Sequence, residues 1–206
     1  MDRNKALEAF RRHRFEAVYF DTAGEARQYL AGEIKGETVG FGGSATCEQL
    51  GLYELLGREN TVLWHWKNPE DRGRFAEFTT YITSANGVSE TGELVNIDGR
   101  GNRLSASLFG AKTVYFVCGI NKLAPTLEDA VTRARQIAGP ANAKRLGSKT
   151  PCAALGRCID CNSPGRICSA MVIHMRPIIG TRSAGRRGAW PVIQAGTPKE
   201  KGGMPR

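Results

Sequence analysis

Four cysteines, Cys152, Cys158, Cys161 and Cys168, fall within one 17-residue stretch. Four thiolates are the ligand set of a structural zinc ion or of an iron–sulfur cluster. The spacings of five, two and six intervening residues match neither the paired CxxC zinc pattern nor the ferredoxin run. The segment therefore reads as a metal or cluster site, with redox-active or free thiols and simple packing as alternatives. Its density favours the first, because a short loop rich in Gly and Pro closes easily around a cation. The other two cysteines, Cys47 and Cys118, stand alone.

Two further segments could carry chemistry. In VGFGGSATCEQLG, residues 39–51, a predicted strand runs into glycines and then into a helix. Gly42 and Gly43 would let an anion approach backbone N–H groups, and the Ser44 and Thr46 hydroxyls would add contacts. The segment lacks the P-loop Gly-Lys-Ser/Thr ending and the dinucleotide GxGxxG spacing. The alternative is a tight turn that needs glycine for backbone reasons alone. Residues 84–123 are dense in short polar side chains. Asn86, Glu90, Asn96, Asp98, Asn121 and Lys122 can reach one cleft beyond the carboxyl ends of parallel strands, where open α/β sheets bind ligands. There Glu90, Asp98 and Lys122 would be the acid/base or electrostatic groups, and the asparagines ligand contacts. The same residues also suit plain turns and surface. His13, His65 and His174 are scattered and form no Ser/His/Asp grouping.

The elements that must position these residues alternate. A short basic helix over residues 1–14 precedes a strand at 17–20. Thr22 and Glu25 are placed as a capping box for the next helix. A strand at 38–41 is followed by a helix using Leu50, Leu52, Leu55 and Leu56, and residues 61–66 form a third strand. Asn68-Pro69 predicts a helix start, with Phe75, Phe78 and Ile82 continuing it. Glu90-Thr91-Gly92-Glu93 predicts a hairpin turn. Residues 113–118 (TVYFVC) read as a central, doubly buried strand. Thr126 is a plausible N-cap for a helix to Arg145, and Met171-Val172-Ile173 reads as a last strand or helix turn. Strands alternating with helices indicate an α/β domain with a mostly parallel sheet flanked by helices.

The chain has 206 residues and a net charge of +9. Residues 172–206 hold seven basic residues against one acid, so the first 171 residues carry only +3. The excess lies in a tail, 181–206, that reads as basic and flexible, without the interleaved aromatics of single-strand binders; nucleic acid is not the expected partner. No apolar run approaches the ~20 residues of a membrane span, and the charged N-terminus has no signal-peptide core. The expected location is cytoplasmic.

Taken in order, the motifs resemble the lactate-utilisation (LUD) domain family. The residues that carry the resemblance are Gly42-Gly43-Ser44-x-Thr46, Ser84-Ala85-Asn86, Glu90-Thr91-Gly92, Leu94-Val95-Asn96-x-Asp98-Gly99, Gly101-Asn102-Arg103, Gly119-Ile120-Asn121-Lys122 and Cys158-x2-Cys161-x-Ser163-Pro164-x-Arg166-x-Cys168. The resemblance implies a fold like the ribose-phosphate isomerase, glucosamine-phosphate deaminase and CoA-transferase group, with residues 1–36 an N-terminal segment of the domain at 37–180. It implies a component of L-lactate oxidation to pyruvate, a possible subunit of an iron–sulfur lactate oxidoreductase. A small anionic ligand and iron–sulfur partner subunits would accompany that role. The alternatives are a free-standing sugar-phosphate isomerase or acyl-transfer enzyme, and a non-catalytic metal-binding assembly subunit. From about Arg182 the chain departs from the family's hydrophobic strand and acidic close.

Overall fold

The computed structural model describes residues 2–178 and a strand at 191–195. In chain order the strands are β1 (Glu16–Phe20), β2 (Thr38–Phe41), β3 (Thr61–Leu63), β4 (Thr80–Thr83), β5 (Gly87–Ser89), β6 (Leu94–Asp98), β7 (Thr113–Gly119), β8 (Leu123–Ala124), β9 (Ala170–His174) and β10 (Pro191–Ala195). The helices are α1 (Arg3–Arg12), α2 (Ala23–Glu33), α3 (Ala45–Gln49), α4 (Leu52–Leu56), α5 (Asn102–Leu108), α6 (Leu127–Arg133), α7 (Gly139–Arg145) and α8 (Pro151–Leu155).

Two sheets result. The larger has the order β1-β10-β7-β4-β2-β3, and every pairing in it is parallel. Its side chains divide by the period of two that a strand imposes. Val114, Phe116 and Cys118 of β7, with Tyr81 of β4, join a core built with α1, α5 and the β5–β6 hairpin. Tyr115 and Val117, with Ile82, join the opposite core under α2, α3 and α4. Both faces are thus covered, as a parallel sheet requires. The smaller sheet, β8-β5-β6-β9, mixes parallel and antiparallel pairs and packs through Val95 and Ala124 on Ala130 of α6 and on Ala134 just after it. Gly87 belongs there because a Cβ at that position would lie 2.3 Å from the Ala130 carbonyl oxygen.

Local signals explain several elements. Thr22 and Glu25 form the reciprocal capping box of α2. Thr126 Oγ1 accepts from the Asp129 N–H and starts α6. From α6 the helix continues through a π stretch, Ala134–Ala138, into α7. Gly139-Pro140 follows directly, and a prolyl nitrogen has no hydrogen to donate, so a widened turn there accommodates the missing bond. The single helix predicted after the Gly42-Gly43-Ser44 turn is two short ones, α3 and α4, because Gly51 between them is left-handed at φ 57°.

Three expectations need correction. The helix predicted from Asn68 through Ile82 is absent. Pro69–Asp71 and Phe75–Glu77 are single 3-10 turns, Gly73 between them has φ +98°, and Ile82 lies in β4. The run Thr79-Thr80-Tyr81-Ile82-Thr83 is β-branched and aromatic, and that preference outweighs the apolar spacing. The strand predicted at 61–66 ends at Leu63, where the Trp64 N–H turns to the buried Asp71 carboxylate at 2.8 Å. Finally, five residues of the stretch read as a flexible tail, Pro191–Ala195, form β10 between β1 and β7. The rest of 181–206 lies outside the described residues.

Candidate functional site

β7, β4 and β2 are neighbours in the parallel sheet, so their carboxyl ends open side by side. Each end delivers one polar residue: Lys122 after β7, Ser84 after β4 and Thr46 after β2. The Lys122 ammonium donates to Thr46 Oγ1 at 2.9 Å and to Ser84 Oγ at 2.6 Å. An ammonium has three donors, so one has no partner among the described residues. Burial lowers the Lys122 amine from its ordinary value, opposed by the nearby Cys118 and Cys47 thiols. Cys47 is itself pushed up to about 12 by burial, so its thiol is protonated at neutral pH.

These groups line a cleft of about 900 Å³. Asn86, Asp98, Arg103, Asn121 and Arg133 continue the lining and bond mainly to each other. Asn86 Oδ1 accepts from the Ile97 N–H at 2.8 Å and from Arg103 Nη2 at 3.0 Å. Asp98 accepts from the Arg100 and Gly101 N–H groups, each at 2.9 Å, and pairs with Arg103 Nε at 3.3 Å. Arg133 donates to the backbone carbonyls of Asn121 and Asn86. At the other end stand His65 and Trp66. His65 is held below its ordinary value by burial and by Arg72 and Arg100. Arg145 lies 4.7 Å over the Trp66 ring.

A second cavity, of about 280 Å³, is lined by all four clustered cysteines. It shares Asn86, Ile97, Ala138, Asn142 and Ile167 with the cleft as a common wall. Three sulfurs have polar neighbours: Thr150 Oγ1 to Cys152 at 3.3 Å, the Asp160 N–H to Cys158 at 3.4 Å and Arg166 Nε to Cys168 at 3.1 Å. The donor set suits zinc or iron–sulfur chemistry, since hydrogen bonds to ligand sulfurs are usual there. The arrangement is not that of a formed site: among the described residues no three His, Cys, Asp or Glu side chains are grouped to hold a metal ion.

A family model for the LUD domain matches residues 3–179. The chain belongs to the LUD domain family. Among solved structures, a DUF162-family protein from Deinococcus radiodurans is similar, with 12% identity, a TM-score of 0.48, and coverage of 95% of this chain and 98% of that one. No curated protein matches.

Of the residues singled out in sequence, this LUD domain brings Gly43, Ser44, Thr46, Asn86, Asp98, Asn121 and Lys122 to the cleft. Three others are placed elsewhere. Glu90 is buried at the hairpin turn, where it accepts from the Asp2 N–H at 2.8 Å and faces Lys5 at 3.8 Å, tying α1 to the second sheet. Asn96 is buried in β6. Gly42 is fixed by packing: a Cβ there would lie 2.4 Å from the Tyr81 hydroxyl and 2.7 Å from Thr83 Oγ1. Ser44 is the N-cap of α3, accepting from the Cys47 N–H at 3.1 Å, and α3 is only five residues long. The positive charge beside this turn is that of Lys122, which reaches Thr46.

Sequence reasoning did not single out Ser84, His65, Trp66, Arg72, Arg100, Arg103, Arg133 or Arg145 as site residues. A signal was present: from Arg100 to Lys149 nine basic residues face two acids, Glu128 and Asp129. The near-neutral total of the body conceals that local excess.

Proposed function

We propose that this LUD domain is a cytoplasmic component of an L-lactate utilisation system and holds a small anionic ligand against Lys122. The observation that carries the reading is the lysine itself, fixed by hydroxyls from two other strand ends, with one donor left over among the described residues. A carboxylate taken up by that donor makes a charge-assisted hydrogen bond. The lowered basicity of the amine also suits it to exchange a proton with a hydroxyl of the bound ligand. Oxidation of a 2-hydroxy acid to a 2-keto acid releases electrons as well as protons. In this proposal the electrons pass to iron–sulfur partner subunits, and this chain contributes binding and proton handling. Among the described residues no helix is long and apolar enough to cross a membrane.

The four-cysteine loop is the second part of the proposal. Cys152, Cys158, Cys161 and Cys168 would hold zinc or an iron–sulfur cluster once their side chains draw together. Zinc would supply structural order there, and a cluster would supply electron transfer. Support for this is the placement of all four thiols on one cavity.

Calorimetric titration with L-lactate and with pyruvate tests the first part. Saturable binding that weakens in Lys122→Met is the expected result. Undiminished binding in that variant would remove Lys122 from the site.

A further inference from the structure

The cleft is too large and too positive for lactate alone. Pockets of 300–1,000 Å³ enclose drug-sized ligands, and this one is about 900 Å³. Its lining carries six basic side chains, Arg72, Arg100, Arg103, Lys122, Arg133 and Arg145, and one carboxylate, Asp98. That is a net +5 within a 171-residue body of net +3, so the rest of that body is net negative. Positive charge is therefore concentrated at the cleft instead of being spread over the surface. A cleft lined by one sign of charge focuses its field on ligands of the other sign.

The six cations are not equivalent. Arg103 is matched by Asp98, Arg133 is bound to two backbone carbonyls, and Arg145 is engaged by Asn142 and the Trp66 ring. Lys122 keeps one donor without a partner among the described residues. Arg72 and Arg100 are exposed, and their guanidinium groups have no hydrogen-bond or ion-pair partner among the described residues. Both line the cleft together with His65 and act on it electrostatically. Two guanidinium groups without a partner among the described residues are free to take up an anion, and guanidinium groups match phosphate oxygens in shape and charge.

We infer that the cleft binds a phosphorylated ligand with two anionic groups, one held by Lys122 and a phosphate held by Arg72 and Arg100. This rests on the reading of Lys122 as the anchor of an anion, and it names the class of ligand that the anchor serves.

The experiment compares L-lactate with two phosphorylated probes of different length, 3-phosphoglycerate and ADP, by calorimetry on the full chain. The first is a 2-hydroxy acid like lactate with a phosphate added at the third carbon. At least one probe should bind about tenfold or more tighter than L-lactate. Arg72→Ala/Arg100→Ala should bring that ratio to near unity. Arg12→Ala/Arg58→Ala, which removes two exposed arginines outside the cleft, should leave the ratio in place. Equal affinities for L-lactate and both probes would overturn the inference and leave the lactate reading standing. A ratio unchanged in Arg72→Ala/Arg100→Ala, or lost equally in the control pair, would overturn the phosphate assignment. Tight probe binding without lactate binding would support this inference and remove lactate as the ligand. If nothing binds, both readings fall.

Discussion

The cleft and the cysteine cavity share a wall but are held in different ways. In the cleft, Lys122 is fixed by residues 76 and 38 positions away in the chain, Thr46 and Ser84. Asn86 and Arg103, 17 positions apart, are bonded across the same space. In the cysteine cavity, the polar contacts to sulfur from Thr150, Asp160 and Arg166 each join residues two positions apart. Long-range bonds between strand ends are imposed by the sheet and persist as long as it does. Contacts two residues apart are properties of the loop alone, and the loop can change shape without unfolding the domain. The lining of the cleft is thus set by the sheet, whereas the polar contacts to the cysteine sulfurs are set within the loop, which is tied to the preceding helix by the Cys158 N–H to Gln136 Oε1 bond and the Arg135–Asp160 pair.

The largest expected effect follows from that difference. If the four cysteines take up zinc, or a cluster rebuilt anaerobically from iron and sulfide, the folded state is stabilised by mass action. At a thousandfold excess over Kd the gain is about 4 kcal/mol, or roughly 10 °C in Tm for a domain of this size. Elemental analysis should find the metal, and Cys158→Ser/Cys161→Ser should lose both metal and shift. Absence of iron and zinc above trace, with no shift, would leave redox or structural cysteines. The cleft should be indifferent, with anion affinity within about twofold between loaded and metal-free protein.

The next effect concerns β9, which carries the chain from Cys168 into the second sheet. His174 in that strand is buried against Phe116 and Ser107, and burial lowers it from 6.5 to about 4. As pH falls below about 6.5 the unfolded chain takes up this proton and the folded chain does not. Stability should therefore drop by about 3 kcal/mol between pH 6.5 and 4 from this group. Urea unfolding across that range measures it, and His174→Gln should flatten the slope. An unchanged slope would assign the acid sensitivity to other groups.

Much of the framework was legible. The capping box at Thr22, the hairpin through Thr91 and Gly92, the N-cap at Thr126 and the central strand read at 113–118 all depend on residues adjacent in sequence or on a period of two. What was not legible depends on partners distant in the chain. β8 has only two residues and exists as a strand because β5 lies beside it. β10 combines a sequence that reads as tail with a slot between β1 and β7. Gly42 and Glu90 looked like ligand groups because their local sequence permits it. The side chains of Tyr81 and Thr83, and the backbone of Asp2, decide otherwise.

Lys122→Met should weaken anion binding by about 10- to 100-fold, since a charge-assisted hydrogen bond contributes about 1.5–3 kcal/mol. Its pH dependence has a definite sign. Anion binding favours the charged amine, so affinity falls as pH rises through the lowered folded value, which lies below 10.5. Over the interval from that value up to 10.5 the unfolded chain holds the proton more tightly, so the stability of the free protein rises with pH. Lys122→Met should abolish both trends. Persistence of either would show that another group titrates in the cleft.

Ser84→Ala gives the smallest effect and the sharpest comparison. Its hydroxyl accepts from Lys122 at 2.6 Å and lies 3.7 Å from Cys118 Sγ. The substitution removes an acceptor from the ammonium but keeps the charge and Thr46. The expected loss of anion affinity is about 1 kcal/mol, or about fivefold. The lost acceptor favoured the charged amine, so the alkaline fall in affinity should begin at lower pH than in the unaltered chain. Cys168→Ser, on the other side of the shared wall, should leave anion affinity within about twofold, because the polar contact of its sulfur among the described residues is to Arg166 of its own loop. Titration of L-lactate into both variants separates the cases. If Cys168→Ser costs as much as Ser84→Ala, the two cavities act as one site, and the bonding that distinguishes them does not govern function.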